Sequence, residues 1–206
     1  MPFRLDRSSP EFEAGFAAML AAKREHTADV DATVAAIIAD VRARGDGALI
    51  DYTRRLDRME LSPATLRITV DEVERVVDDC APEAVAALEL AARRIAAFHA
   101  RQRPANHDEV DEAGIRLGYR WTAVEAAGLY VPGGTAAYPS SVLMNALPAR
   151  VAGVERLVMT VPAPDGAINP LVLAAAKLVG IDEIYRIGGA QAIAALAYGT
   201  ETIAPV

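Results

Sequence analysis

The segment 128-GLYVPGGTAAYPSS-141 decides how the second half of the chain is interpreted. An apolar run from Gly128 to Val131 has the composition of a strand, and it stops at Pro132. Two glycines follow, and Pro139-Ser140-Ser141 has the composition of a helix start. A strand, a double-glycine turn and a helix, in this order, are typical of a place where the backbone approaches a ligand closely.

The same strand–helix rhythm continues to the end of the chain. Strands are predicted at 128–131, 156–161 and 183–187, and helices at about 139–152, 169–179 and 190–198. Asn169 and Pro170 have the spacing of an N-cap and a first helical residue, and Pro148 is expected to kink or shorten the first of these helices. Strands that alternate with helices of this length predict right-handed crossovers and a parallel sheet covered on both faces.

The first part of the chain is predicted to be mainly helical. Ser8 and Glu11 have the spacing of a capping box, which predicts a first helix after them. A second helix with apolar spacing is predicted to end at Gly45, and a third, short helix runs through Leu56.

Two β features interrupt these helices. Alternation of apolar and polar residues from Leu66 to Val70 predicts a strand, with Asp71 as the cap of the next helix. A polar loop is predicted from Pro104 to Asp111, and a hairpin at 115–124.

Composition and charge exclude several classes of protein. The 206 residues carry a net charge of −7, which argues against nucleic-acid binding. Residues 128–206 carry four Lys/Arg and five Asp/Glu, so they are less charged than the first part of the chain. No signal peptide and no run of about 18 uncharged apolar residues is present, so we expect no membrane span. A single cysteine, Cys80, fits a cytoplasmic protein and is predicted to be a buried packing residue.

The predicted strand ends carry the candidate ligand groups. Gly133-Gly134 and Gly188-Gly189 each precede a helix, where free N–H groups favour a pyrophosphate. Tyr130 and Gln191 flank these turns. Tight strand–helix connections explain paired glycines equally well, and neither turn matches the dinucleotide or phosphate-loop fingerprint. Ser140 and Ser141 are either capping groups or ligand donors.

The histidines His26, His99 and His107 are scattered, so their spacing predicts no metal site. His99 ends an apolar helical stripe. It is either a half-buried, hydrogen-bonded side chain or, with Gln102, part of the border of a site. From the residues alone, the chain is a soluble α/β nucleotide-binding module.

Three long motifs carry a resemblance to a known family. They are AAFHARQ, the segment from GLYVPGG to TVPAP, and the segment from INPLVLAAAK to GTETI. The chain resembles histidinol dehydrogenase, and the likeness is dense from residue 128 onward. The resemblance implies an α/β fold of the aldehyde dehydrogenase-like superfamily. Its parts are a helical arm at 1–27, part of a first Rossmann-like domain at 28–127, and an incomplete Rossmann-like NAD-binding domain with a parallel sheet at 128–206.

The resemblance also implies the chemistry of the family. Its members are homodimeric zinc enzymes that oxidise L-histidinol to L-histidine through the aldehyde and reduce two NAD. The family's NAD-contacting tyrosine and glutamine fall on Tyr130 and Gln191. The zinc ligands, the acid–base pair and a third NAD contact are expected beyond Val206. We therefore expect this chain alone to be inactive. The alternative is a non-catalytic chain with a dimerisation or interaction role.

Overall fold

In the computed structural model the described residues are 4–133 and 138–206, and side chains are described outside 22–28. The helices are α1 (Phe12–Arg44), α2 (Asp46–Asp57), α3 (Pro63–Leu66), α4 (Val70–Asp78), α5 (Pro82–Ala100), α6 (Pro139–Ala152), α7 (Pro170–Leu178) and α8 (Gly189–Tyr198). The strands are β1 (Arg67–Ile68), β2 (His107–Val110), β3 (Arg116–Tyr119), β4 (Ala126–Tyr130), β5 (Arg156–Thr160) and β6 (Glu183–Tyr185). A 3-10 turn, Pro164–Gly166, lies between β5 and α7.

The main sheet has the strand order β1-β6-β5-β4. The strands β4, β5 and β6 are parallel neighbours, as the sequence predicts. β1 pairs antiparallel with β6, so the sheet as a whole is mixed and not wholly parallel. Since β1 comes from the first 127 residues, both halves of the chain contribute to one sheet. The domain boundaries at 27 and 127 stay predictions.

The strand predicted from Leu66 to Val70 is wrong in extent. Only Arg67 and Ile68 form the paired strand, because α3 precedes them and α4 begins directly after Thr69. The Thr69 side chain accepts the N–H of Glu72, and the Glu72 carboxylate accepts the N–H of Thr69. This capping box starts α4 two residues earlier than a cap at Asp71 would, and it overrides the alternating pattern.

The amino-terminal helices also differ from the prediction. A single continuous α1 replaces the first two predicted helices, because residues 16–44 contain neither glycine nor proline to interrupt it. The predicted capping box is absent: the Ser8 hydroxyl bonds Asp6, and the N-cap Glu11 has no side-chain hydrogen bond. Gly45 ends α1 as expected, with φ +53°.

A β-hairpin precedes the second half. β3 lies in the predicted range, but β2 occupies part of the predicted polar loop, and the two pair antiparallel from His107–Tyr119 to Val110–Arg116. Every residue of the two strands is exposed. The position of β2 was missed because its sequence, HDEV, lacks an alternating apolar pattern.

The helices of the second half agree closely with the sequence. The Asn169 side chain accepts the N–H of Leu171 and caps α7. α6 continues through Pro148 to Ala152 and is not shortened there. No helix in the described part of the chain is both long enough and apolar enough to cross a membrane.

Two apolar clusters cover the two faces of the sheet. Met159 and Ile184 pack with α4, α5, α6 and α7, whereas Val158 and Tyr185 pack with α1, α2 and α8. Successive residues of β5 thus point into different clusters, which explains the apolar run from Leu157 to Met159. Cys80 is only half-buried just after α4, so its prediction as a buried residue is wrong.

Candidate cofactor site

The carboxyl ends of the three parallel strands meet around Pro162, which follows β5. A Cβ added to Gly133 would lie 2.7 Å from Pro162 Cγ, and a Cβ added to Gly188 would lie 2.5 Å from Pro162 Cβ. Only glycine fits such close approaches. Packing against Pro162 therefore explains why glycine occurs at Gly133 in the first turn and at Gly188 in the second. Gly134 lies outside the described residues.

Tyr130 reaches across the sheet to the second glycine turn. Its hydroxyl oxygen accepts the backbone N–H of Gly189 at 3.1 Å. Gly189 is exposed, begins α8 and has φ +65°, a conformation that glycine adopts readily. The structure thus brings together two of the residues that the sequence singles out, Tyr130 and Gly189.

Gln191 is buried in the first turn of α8, with 1% of its surface exposed. Its Oε1 atom has no hydrogen-bond partner among the described residues. A Cβ on Gly189 would lie 2.5 Å from this oxygen, so the amide group packs against the turn itself. An unpaired buried acceptor costs about 1–3 kcal/mol. A group of this kind in a native fold calls for a functional explanation.

Ser140 and Ser141 lie in the first turn of α6, after the N-cap Tyr138. Neither serine is the N-cap, so that interpretation is wrong. Within the described part of the chain neither hydroxyl makes a hydrogen bond, although the Ser141 carbonyl accepts the Asn145 amide. Their role toward a substrate stays a prediction.

Arg186 places a cation beside the second glycine turn. Its Nη2 donates to both oxygens of Glu72 at 2.8 Å, and its Nε is buried without a partner in the described residues. Burial opposes ionisation of Glu72, but hydrogen bonds from Arg186 and Thr69 outweigh it and lower the pKa of the carboxyl. This pair was missed by sequence reasoning, because Glu72 and Arg186 are far apart in the chain.

Asp57 is a buried carboxyl that the sequence did not reveal. It is the last residue of α2, and burial raises the pKa of its carboxyl, while the Ala163 backbone amide acts in the opposite direction. Its Oδ2 atom has no partner among the residues described. No periodicity marks Asp57, because its burial arises only where α2 packs against the loop after β5.

His99 belongs to a different surface. Its Nδ1 lies 2.7 Å from Gln102 Oε1, and both residues line a cleft of about 600 Å³ with Trp121. The last turn of α6 also lines this cleft, which places it at the amino end of β5, opposite the glycine turns. His99 is thus half-buried and hydrogen-bonded, as the first interpretation predicts, and its role at the border of a site stays a prediction.

The described residues contain no group of three or more His, Cys, Asp or Glu side chains placed to hold a metal ion.

Comparison with known proteins decides the family. The family model for histidinol dehydrogenase matches residues 20–206. The chain belongs to the histidinol dehydrogenase family. Histidinol dehydrogenases of Ruegeria pomeroyi and Rhodospirillum rubrum are 63% and 66% identical to it over all 206 residues. These 206 residues correspond to 48% of each of those two proteins, so the chain spans about half the length of the curated relatives it matches.

A solved histidinol dehydrogenase shows the same fold. The crystal structure of the enzyme from Elizabethkingia anophelis superimposes with a TM-score of 0.82 and 34% sequence identity. The match covers 86% of this chain and 41% of that one. The mixed α/β architecture described above is therefore a histidinol dehydrogenase architecture.

Proposed function

We propose that this chain forms the NAD-binding part of a histidinol dehydrogenase, the enzyme that oxidises L-histidinol to L-histidine through the aldehyde. The observation that carries the cofactor assignment is the buried Gln191 Oε1, which lacks a partner in the described residues and lies against Gly189. Family membership supplies the reaction.

The residues at the strand ends fit a dinucleotide. The start of α8 lies at the exposed Gly189, and the positive end of the helix favours a pyrophosphate. Gly133 and Gly188 hold the two turns close to Pro162, so a ligand at the strand ends meets backbone on both sides. When bound there, NAD supplies the hydride acceptor for both oxidation steps.

The chain's own residues have binding and orienting roles in this proposal. The unpaired Gln191 Oε1 accepts a hydrogen bond from the ligand, and Tyr130 offers its hydroxyl hydrogen while its oxygen holds Gly189. The glycines of the two turns, Gly133, Gly134, Gly188 and Gly189, are proposed to contact the pyrophosphate. Ser140 and Ser141, at the exposed start of α6, are proposed to contact the substrate.

Zinc is implied by the family, but the described residues do not fit a zinc site. We derive no step through zinc from them. The proposal places zinc ligands and acid–base residues in the rest of the enzyme, and we expect the 206-residue chain alone to turn over no histidinol. Absorbance at the NADH band in a mixture of chain, histidinol, NAD and zinc measures this.

An NMR titration of the chain with NAD tests the cofactor assignment. We expect shifts centred on Tyr130, Gly133, Gly189 and Gln191, with a Kd on the order of millimolar. AMP and nicotinamide mononucleotide, titrated separately, identify which half of the dinucleotide moves each resonance. A folded chain with no shifts at these residues at 20 times that concentration would refute the assignment.

We also propose that the hairpin serves association, as the family's homodimer requires. The residues Ile115, Leu117, Tyr119 and Trp121 alternate along β3 and its extension, and 56–59% of each is exposed. They form an exposed apolar row on one face of the hairpin, beside Glu109 and His107 of β2. A two-stranded sheet is marginally stable when isolated. An exposed apolar face of this kind marks an interaction site.

A further inference from the structure

Two non-glycine residues with positive φ meet each other in this fold. In the described part of the chain these residues are Arg58, at +55°, and Asp165, at +54°. They lie 107 positions apart, yet Arg58 Nε donates to Asp165 Oδ1 at 2.7 Å and Nη2 donates to Oδ2 at 2.5 Å. A left-handed backbone at such residues is unfavourable and persists only where the surroundings hold it.

Each member of the pair stands at the end of a different element. Arg58 is the C-cap of α2, and it follows the buried Asp57, whose carboxyl faces the Ala163 amide. Asp165 is the middle residue of the 3-10 turn that follows β5. The Arg58–Asp165 pair thereby attaches the end of α2 to the β5–α7 loop.

The same loop begins with Pro162, the residue on which both glycine turns pack. Pro162 and Asp165 are separated by two residues, of which Ala163 is completely buried and accepts the N–H of Gly166 at 2.9 Å. Any shift of Asp165 is therefore transmitted to Pro162 through a short, hydrogen-bonded turn.

We propose that Arg58 and Asp165 are positioning residues of the cofactor site. Their ion pair fixes the β5–α7 loop, and the loop fixes Pro162 and hence the separation of the turns at Gly133 and Gly188. Neither side chain contacts the dinucleotide. The inference rests on the proposed function for its effect on NAD, but not for its effect on the two turns.

The exposure of the Arg58–Asp165 pair predicts which property of the protein changes when the pair is lost. The side chains of Arg58 and Asp165 are 63% and 65% exposed. Exposed ion pairs contribute little to global stability. We therefore expect loss of the pair to alter the geometry of the site while the unfolding midpoint changes little.

Glycine substitutions remove the ion pair without adding backbone strain. Arg58→Gly and Asp165→Gly each remove the pair while relieving the left-handed residue, so both variants are expected to fold. Amide resonances of Gly133, Ala163 and Gly188 are compared in the free chain, and NAD affinity is then titrated. The matched control is Arg116→Ala, which removes the exposed Arg116–Asp108 pair in the hairpin.

We expect both glycine variants to move these three amides in the same direction and to weaken NAD binding about threefold to fivefold. The control moves none of them. The charge exchange Arg58→Asp with Asp165→Arg is expected to return the amides and the affinity toward those of the parent chain, which a general loss of stability would not do.

Unmoved Gly133 and Gly188 amides in both glycine variants overturn the proposal, whether or not NAD binds. Unchanged NAD affinity in variants of a chain that binds NAD overturns it as well. A parent chain that binds no NAD defeats the proposed cofactor function instead, and the amide shifts then decide whether the pair fixes the two turns.

Discussion

The hydroxyl oxygen of Tyr130 accepts the backbone N–H of Gly189 at 3.1 Å and so connects the end of β4 to the start of α8. β5 lies between β4 and β6 in the sheet, so this bond spans the strand end that carries Pro162. A side chain predicted to contact a cofactor thus also holds the turn that is predicted to cradle it.

Replacing the Tyr130 hydroxyl tests this double role. We expect Tyr130→Phe to weaken NAD binding about fivefold, because a hydrogen bond worth about 1 kcal/mol is lost and Gly189 is released. Titration of both proteins by NMR measures the change. Tyr198→Phe is the control, since Tyr198 is the last residue of α8, the helix that begins at Gly189, and is 54% exposed. Equal affinities for the parent chain and Tyr130→Phe would contradict the proposed role of the hydroxyl.

Gln191 is expected to oppose stability while supporting binding. Gln191→Met removes a buried unpaired acceptor at similar volume, so the free energy of unfolding should stay constant or rise by up to about 1 kcal/mol. NAD affinity should fall about fivefold or more. Urea unfolding and NAD titration measure the two quantities. The same change at Gln102, which lines the remote cleft, should leave NAD affinity unaltered. A Gln191 variant that loses stability and keeps affinity would show a structural role alone.

Replacing glycine by alanine is expected to change the stability of the fold in opposite directions at Gly188 and Gly47. Gly188→Ala places a methyl group against Pro162 and should destabilise the fold by about 1–3 kcal/mol. Gly47→Ala should stabilise it by about 0.5–1 kcal/mol, because Gly47 lies in α2 and a Cβ there meets nothing within 4 Å. Thermal unfolding of both variants measures the difference. Similar melting temperatures would show that Pro162 moves away from the added methyl group without loss of stability.

The Arg156–Glu183 pair predicts a pH dependence. Arg156 donates to Glu183 at 2.8 and 3.0 Å and lowers the pKa of that carboxyl below its model-compound value of 4.5. A lowered carboxyl pKa stabilises the fold above the unfolded-state value and loses that contribution as the pH falls through the folded-state value.

We therefore expect Glu183→Gln to reduce the free energy of unfolding by about 1–2 kcal/mol at pH 7. The difference from the parent chain should narrow below pH 4.5. Urea unfolding between pH 3 and pH 7 measures it, with the exposed Glu155→Gln as the control. A difference that stays constant across this range would exclude titration of Glu183 as the cause.

The hairpin face predicts concentration-dependent association. Leu117→Lys should reduce association of the chain, because it places a charge in the exposed apolar face formed with Tyr119 and Trp121. Sedimentation velocity at several concentrations measures the effect. Val110→Lys is a matched control, since Val110 pairs with Arg116 on the opposite face of the hairpin and is 64% exposed. Equal loss of association in both variants would locate the contact elsewhere.

Local signals account for the parts of the fold that were predicted well. α6 and α7 begin at Pro139 and Pro170, as the composition of these two helix starts predicts. The three parallel strands are largely apolar, which reflects cover on both faces. Where the prediction failed, a competing local signal was overlooked: the capping box of Thr69 and Glu72 ended β1, and the absence of helix breakers kept α1 continuous.

The sequence by itself determined the three strand–helix units, because glycine, proline and apolar periodicity act within a few residues. Its long motifs indicated the family, and their resemblance marked Tyr130 and Gln191 as candidate residues. Tertiary structure alone decided what surrounds these residues. Pro162 separates the two glycine turns, Gln191 Oε1 is buried without a partner in the described residues, and Arg58 meets Asp165 across 107 positions. The physical reason is that burial and pairing depend on which elements pack together, and no periodicity of a single segment records its neighbours.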